Sequence, residues 1–206
     1  MKNGSAEKKT AALILNGDYI EGRLDGEYVL CADGGYNLLK RMGIKCDAVI
    51  GDMDSVSGIG ADIEVITFNK VKNETDGYLG IIRLCDMDFT RINIYGAFGG
   101  RADQVAGNIN LLPAAYYSGA DAVIYGEDTE VYFTDADIKI DCEKGDIISV
   151  LPYTEKVIFK ISKGLMYPLE GLKIPHASSQ GISNVAIEDT VFISIKKGDA
   201  FIYRIK

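Results

Sequence analysis

The chain has 206 residues, 47% of them hydrophobic and 25% charged, enough apolar surface for one sizeable core or two small ones. It carries 22 Lys+Arg against 30 Asp+Glu, a net charge of -8. An acidic chain repels a phosphodiester backbone, so nucleic acid is excluded as an expected partner. No apolar run reaches the roughly 18 residues of a membrane span, and the polar, lysine-containing start does not read as a signal peptide. No membrane partner is therefore expected, and the expected compartment is the cytoplasm.

In chain order, residues 11–15 form a short apolar run closed by Asn16-Gly17, a turn signal. Residues 28–32 form a second run, ending at Asp33-Gly34-Gly35, and residues 37–42 fit a short helix stopped by Gly43. Strand-like runs at 48–50 and 64–68 follow, the first ending at Gly51-Asp52. A helix is expected over 75–87, a strand over 91–95, one long helix over 101–117 and a sixth strand over 122–125. Within the long helix, Val105, Ile109 and Leu112 recur at spacings of four and three, which predicts a core face, and Pro113 predicts a kink. Strands alternating with helices imply an α/β domain with a mostly parallel sheet covered on both faces.

Beyond Asp128 the texture changes. Short β-branched and aromatic runs fall at 131–133, 138–140, 147–151, 157–161, 191–195 and 200–205, with turn-like Lys144-Gly145-Asp146 and Lys197-Gly198-Asp199 between some of them. This pattern predicts a C-terminal all-β sandwich or small barrel. The expected division is an α/β domain over 1–128 and a β domain over 129–206.

Three aspartates are expected on one sheet edge. Asp33 follows the second strand, and Asp52 and Asp54 follow the third. Strand carboxyl ends in an open parallel sheet form the ligand-binding edge. Residues two apart in an extended segment share a face, so Asp52 and Asp54 are expected to point the same way. Crowded carboxylates of this kind suit magnesium, a hard cation that takes oxygen ligands. Thr75 is a good N-cap for the helix that follows, with Asp76 in its first turn. Gly77 and Gly80 inside that helix imply close approach of another backbone or a ligand. A glycine-rich strand-to-helix turn then runs from Gly96 to Gly100, followed by Arg101, Ala102, Asp103 and Gln104. Glycines let backbone amides approach phosphate oxygens, a helix N-terminus attracts anions, and Arg101 adds a fork of donors. The turn matches neither a Walker motif nor the dinucleotide fingerprint.

Taken in order, these sites resemble thiamine pyrophosphokinase (thiamine diphosphokinase). The resemblance rests on Asp33-Gly34-Gly35, Gly51-Asp52-Met53-Asp54-Ser55, the stretch from Lys72 to Asp76, and Gly99-Gly100-Arg101-Ala102-Asp103. In the second half it adds Gly164-Leu165-Met166-Tyr167-Pro168-Leu169 and Gly181-Ile182-Ser183-Asn184. It implies an α/β catalytic domain followed by a β-sandwich, in a homodimer whose sites form where subunits and domains meet. It implies Asp52, Asp54 and Asp76 as magnesium ligands with Asp33 close by. Lys72, Arg101, Asp103 and Asn108 are implied around ATP, beside Gly34, Gly35, Gly99, Gly100 and Gln104. Ser183 and Asn184, with Asp76, are implied at thiamine, and Asp76, Lys72 and Arg101 are implied to carry the chemistry. The reaction so implied transfers the diphosphate of ATP to the thiamine hydroxyl.

Three positions depart from the family pattern: Asn73 stands where Asp is common, Gln104 where His is common, and Val185 where Glu is common. Two rival readings share these residues. A related diphosphokinase acting on another alcohol, such as a pterin, would keep the metal site; Ser183-Asn184 argues for thiamine instead. A non-catalytic thiamine- or nucleotide-binding protein would not need the set Asp52, Asp54 and Asp76. Cys31, Cys46, Cys85 and Cys142 form no Cys-x-x-Cys pair and the single His176 is distant in sequence. Reduced thiols rather than a zinc site are therefore expected, with His176 an exposed loop residue.

Overall fold

The computed structural model describes residues 8–18, 24–54, 56, 58–67 and 74–206. They fall into two compact units that divide between Glu127 and Asp128. No helix among the described residues is long and apolar enough to cross a membrane.

The first unit is built on six strands: β1 (Thr10–Ile14), β2 (Tyr28–Ala32), β3 (Ala48–Gly51), β4 (Glu64–Thr67), β5 (Arg91–Tyr95) and β6 (Asp121–Tyr125). All are parallel, in the order β6-β5-β1-β2-β3-β4. Four helices accompany them: α1 (Gly35–Met42), α2 (Asp76–Asp86), α3 (Ala102–Ile109) and α4 (Leu111–Tyr117). The central strands are apolar on both faces because both faces are covered. Ala12, Ile14, Cys31 and Val49 pack with Tyr36 and Leu39 of α1. On the opposite face, Leu13 and Leu30 meet α2 at Gly80, where an added Cβ would lie 2.9 Å from Leu13 Cδ1. The exposed edge strand β4, with Glu64 and Val65 in solvent, lacks this covering.

Gly77 and Gly80 thus have a packing explanation. A Cβ at Gly77 would lie 3.1 Å from Leu15 and 3.2 Å from Leu111. These glycines let α2 settle onto the sheet and α4, and the close neighbours are side chains rather than another backbone. Thr75 caps α2 as its position predicts, its hydroxyl accepting from Tyr78 N at 3.3 Å.

The helix expected over 101–117 is two helices that break at Asn110. Asn110 Nδ2 donates to Ala106 O at 2.9 Å, taking a carbonyl of the last turn of α3. Pro113 then falls in the first turn of α4, where no intrahelical donor is required, so it starts a helix rather than kinking one. The expected core face divides accordingly. Leu112 is buried in α4, whereas none of the eight residues of α3 is buried and Val105 and Ile109 are only partly covered.

The second unit holds β7 (Thr129–Thr134), β8 (Asp137–Asp141), β9 (Ile147–Pro152), β10 (Lys156–Lys163), β11 (Lys173–Pro175), β12 (Asn184–Val185), β13 (Thr190–Lys197) and β14 (Ala200–Ile205). Strands β12-β9-β14-β7 form one antiparallel sheet and β11-β10-β13-β8 another. Ile148, Val150 and Ile202 from the first meet Val157, Phe159, Val191 and Ile193 from the second in one apolar cluster, the core of a β-sandwich. The short strands β11 and β12 have no sequence signal of their own.

One polar cluster is buried at the end of this sandwich. Arg204 lies opposite Glu130 across β14 and β7, with Nη1 donating to Glu130 Oε1 at 3.0 Å and Nε to Asp146 Oδ2 at 2.7 Å. Burial pushes the Asp146 carboxyl upward, but the Glu143 amide, at 2.9 Å, and the Arg204 guanidinium hold it below its ordinary value.

Candidate active site

The sheet order places a topological switch at β1, which pairs with β2 on one side and β5 on the other. In open parallel sheets ligands bind outside the strand carboxyl ends at such a point. A cavity of about 390 Å³ lies there. It is lined by Leu15, Asn16 and Gly17 after β1, Ala32 and Asp33 after β2, and Thr75, Asp76 and Gly77 at the start of α2. Gly99, Arg101, Asp103, Gln104, Gly107 and Asn108 close it from the glycine turn and α3. Two helix N-termini therefore face one cavity, and both favour anions.

The turns fit closely. Asn16 packs its amide against Gly34, where an added Cβ would lie 2.6 Å from Asn16 Cγ. A side chain at Gly17 would collide with the carbonyl oxygens of Gly96 and Phe98. The loop after β1 is thereby seated between the Asp33-Gly34-Gly35 turn and the glycine turn.

Asp33 and Asp76 converge from two elements. A Cβ at Gly51 would lie 3.3 Å from Asp33 Cβ and 3.3 Å from both Asp76 Cγ and Oδ1. Asp33 sits at φ 43°, a left-handed conformation that Asp tolerates better than most residues. Its Oδ1 is buried and has no hydrogen-bond partner among the described residues. Such an oxygen is costly unless a cation or donor reaches it. Asp52 and Asp54 follow β3 at the same edge but do not line the cavity. The segment they occupy is not extended: Met53 has φ 63°, and Asp54 N donates to Asp52 Oδ1 at 3.1 Å. That turn separates the two side chains, leaving Asp52 half-buried and Asp54 exposed. Among the described residues no three His, Cys, Asp or Glu side chains form a ready metal cage.

Arg101 and Asp103 form a two-pronged pair, Nε to Oδ1 at 3.0 Å and Nη2 to Oδ2 at 2.6 Å, in solvent. The pairing raises the Arg101 guanidinium and lowers the Asp103 carboxyl from their ordinary values. Asp103 also accepts from Gln104 N at 3.0 Å. Asn108 Nδ2 donates to Ala97 O at 2.9 Å, tying α3 to the glycine turn. Gly34 and Gly35 stand behind the lining at the start of α1, and Gly100 is exposed beside Gly99. Lys72, Asn73 and Ser55 lie outside the described residues.

In the second unit the two remaining motifs meet. Asn184 Oδ1 accepts from Tyr167 N at 3.0 Å and Val185 N at 2.9 Å, and its Nδ2 donates to Tyr167 O at 2.6 Å. Asn184 is buried and holds the segment that displays exposed Met166 and Tyr167. Ser183, at φ 61°, donates its amide to Ser149 Oγ at 3.0 Å and is exposed. His176 is an exposed loop residue with Nδ1 3.0 Å from Pro152 O. All four cysteines are free thiols, three buried and Cys85 half-buried.

The family model described as thiamin pyrophosphokinase, catalytic domain, matches residues 24–124. A second, thiamin pyrophosphokinase, vitamin B1 binding domain, matches residues 135–198. The chain belongs to the thiamin pyrophosphokinase family. It is 25% identical to thiamine pyrophosphokinase 1 of Oryza sativa subsp. japonica over 197 residues, covering 80% of this chain and 74% of that one. Among solved structures it is similar to thiamine pyrophosphokinase from Bacillus subtilis, with TM-score 0.86 and 23% identity over 96% of this chain and 99% of the other. Thiamin pyrophosphokinase from Candida albicans follows with TM-score 0.76 and 19% identity, covering 97% and 90% of the two chains. These two likenesses show a shared fold. Apart from Leu15, Asn16 and Gly17, the residues that line the cavity lie within the catalytic-domain match, and the Tyr167–Asn184 pairing lies within the vitamin B1 match. Leu15, Asn16, Gly17, Ala32 and Gly107 line the cavity beyond the residues anticipated from sequence. Asn16-Gly17 was legible there only as a turn.

Proposed function

We propose that this chain is a thiamine diphosphokinase that transfers the diphosphate of ATP to the hydroxyl of thiamine, releasing AMP. The observation that carries the proposal is the presence, in one chain, of a catalytic-domain match and a vitamin B1-binding match. The thiamine oxygen forms a bond to the β-phosphorus, and the bond from that phosphorus to the oxygen of AMP breaks. The glycine turn and the N-terminus of α3 receive phosphate oxygens, and Arg101 leaves Asp103 to bind them bidentately. Lys72 is proposed as a further cation for the phosphates. A carboxylate of the edge, Asp76 first among them, accepts the hydroxyl proton. Ser183 and the segment held by Asn184 receive thiamine.

The residues at the edge fit magnesium, which binds through one or two carboxylates together with substrate phosphates and water. Asp33, with its unpartnered buried oxygen, and Asp76 are the first candidate ligands, with Asp52 and Asp54 beside them. Held by these residues, magnesium would supply charge neutralisation to the phosphates. A homodimer is part of the same proposal, as is a cytoplasmic address, which suits four unpaired thiols.

The test is incubation with ATP, magnesium and thiamine, with every product identified. Equimolar AMP and thiamine diphosphate, abolished by a chelator, is the expected result. ADP with thiamine monophosphate would place the attack on the wrong phosphorus. Turnover of a pterin alcohol without turnover of thiamine would favour a different acceptor.

A further inference from the structure

Four glycines lie in the helices of the first unit: Gly35 in α1, Gly77 and Gly80 in α2, and Gly107 in α3. Packing accounts for three. An added Cβ would lie 2.5 Å from Ile14 O at Gly35, 3.1 Å from Leu15 at Gly77 and 2.9 Å from Leu13 at Gly80. Gly107 is different. No described residue lies within 4 Å of an added Cβ there, and its φ is not left-handed. An interior glycine weakens a helix relative to alanine, and α3 has only eight residues with none buried to compensate. Packing among the described residues therefore gives no reason for glycine at this position.

The cavity supplies one. Gly107 lines it together with Asp103, Gln104 and Asn108. Residues three and four apart share a helix face, so these four present one surface to the ligand. Gly107 lies five residues beyond Ala102, the first residue of α3, a rise of about 7 Å along the axis. A ligand whose charged end sits at the N-terminus of α3 brings its uncharged end to that level. The amides of Gln104 and Asn108 flank the gap; Asn108 Nδ2 is committed to Ala97 O, which fixes its side chain in place.

We propose that Gly107 is a specificity-determining position for the nucleotide, its missing side chain leaving the space in which the nucleoside packs against α3. This rests on the reading that ATP occupies the cavity. Phosphates bind at the glycine turn, and the ribose or base lies flat against the Gly107 backbone. A side chain at this position projects into the nucleoside and leaves the phosphate and thiamine contacts alone.

Gly107→Ala and Gly107→Leu test this, since both residues favour helix and an added Cβ meets no described residue within 4 Å. Both variants are expected to melt no lower than wild type. Overpacking a closely fitted contact predicts an ATP KM raised about tenfold or more in Gly107→Leu, and less in Gly107→Ala. The thiamine KM is expected to change by no more than about twofold. Calorimetric binding provides a readout independent of turnover. With magnesium present, AMP binding weakens in Gly107→Leu, whereas inorganic tripolyphosphate, which has no nucleoside, binds wild type and variant alike. Wild-type ATP KM in Gly107→Leu, or equal weakening of AMP and tripolyphosphate, would overturn the proposal. A variant that changes only its oligomeric mass would assign Gly107 to a contact between copies instead. Failure of the wild type to make AMP and thiamine diphosphate would refute the proposed reaction, while the AMP and tripolyphosphate comparison would still decide the role of Gly107.

Discussion

Replacing Asp33 with Asn separates what the fold needs from what the reaction needs. Asp33 holds a buried Oδ1 without a partner among the described residues, and its side chain converges with that of Asp76 at Gly51. A buried polar group left unsatisfied costs about 1–3 kcal/mol, more when charged. Removing the charge while keeping the shape recovers part of that, about 1 kcal/mol, or a melting shift of about 4 °C for a unit of this size. Asn is the right replacement because it tolerates the left-handed φ of 43°, which Ala does not. In the presence of magnesium the sign reverses. An amide oxygen is a poorer ligand for a hard cation, and losing one electrostatic contact in the transition state costs on the order of 3 kcal/mol, about a hundredfold in rate. The assay is paired: melting in chelator-treated buffer, and turnover across a magnesium titration. Asp33→Asn should melt higher and turn over slower at every magnesium concentration. A variant that melts lower, or one with wild-type turnover, would refute this account of the carboxylate edge.

Asp54→Asn, at an exposed turn position, should leave the melting temperature within about 2 °C of wild type. If Asp54 joins the metal site, turnover falls about a hundredfold, and unchanged turnover removes it from the site. Asn184→Ala breaks three hydrogen bonds to Tyr167 and Val185. It should cost about 2–3 kcal/mol in urea unfolding and raise the thiamine KM; unchanged stability would contradict the buried role. Asp146→Asn leaves Arg204 with one buried partner and should cost about 3 kcal/mol at pH 7. Because the Asp146 carboxyl is held below its ordinary value, its contribution is present above the unfolded pKa of about 3.9 and is lost as pH falls through the lower folded value. The gap between wild type and variant should therefore narrow as the pH falls below the unfolded pKa, and a gap that widens in acid would refute the linkage. Light scattering of an active preparation should give a dimer mass; a monomer mass at micromolar concentration would overturn the homodimer.

The β-strand layout of the first unit was legible because parallel strands buried on both faces read as unbroken apolar runs, as 11–15 and 28–32 do. The cap at Thr75 was legible for a local reason: a hydroxyl before a helix has one good use. What failed locally was decided at a distance. Pro113 has the same chemistry in a helix interior and in a first turn, and only the break at Asn110 tells the two apart. Gly77 and Gly80 imply close approach of another backbone or a ligand when read from sequence, because their packing neighbours, Leu13, Leu15 and Leu111, are remote in the chain. Asp52 and Asp54 were read as extended, yet one left-handed residue between them, Met53, turns the pair. Asn16 escaped notice because Asn-Gly is an ordinary turn; its packing on Gly34 appears only once β1 lies beside β2.

The charge of the cavity bears on what enters it. Among its described lining residues are three aspartates, Asp33, Asp76 and Asp103, and one cation, Arg101. That cation is already paired with Asp103. A polyanion arriving alone meets two helix N-termini that attract it and carboxylates that repel it. Helix N-termini contribute up to about 2 kcal/mol each in favourable, partly buried geometries, while unit charges at about 6 Å in surroundings of effective dielectric near 20 repel by about 3 kcal/mol. The attraction of the helices does not exceed the repulsion of the carboxylates. A divalent cation carried in with the phosphates changes that sum twice, screening Asp33 and Asp76 and lowering the charge of the incoming group. On the proposed reading the acidic edge is what makes this cavity select the metal complex of the nucleotide over the bare nucleotide, and Arg101, released from Asp103 when phosphate oxygens offer a better fork, completes the neutralisation only after the complex has arrived.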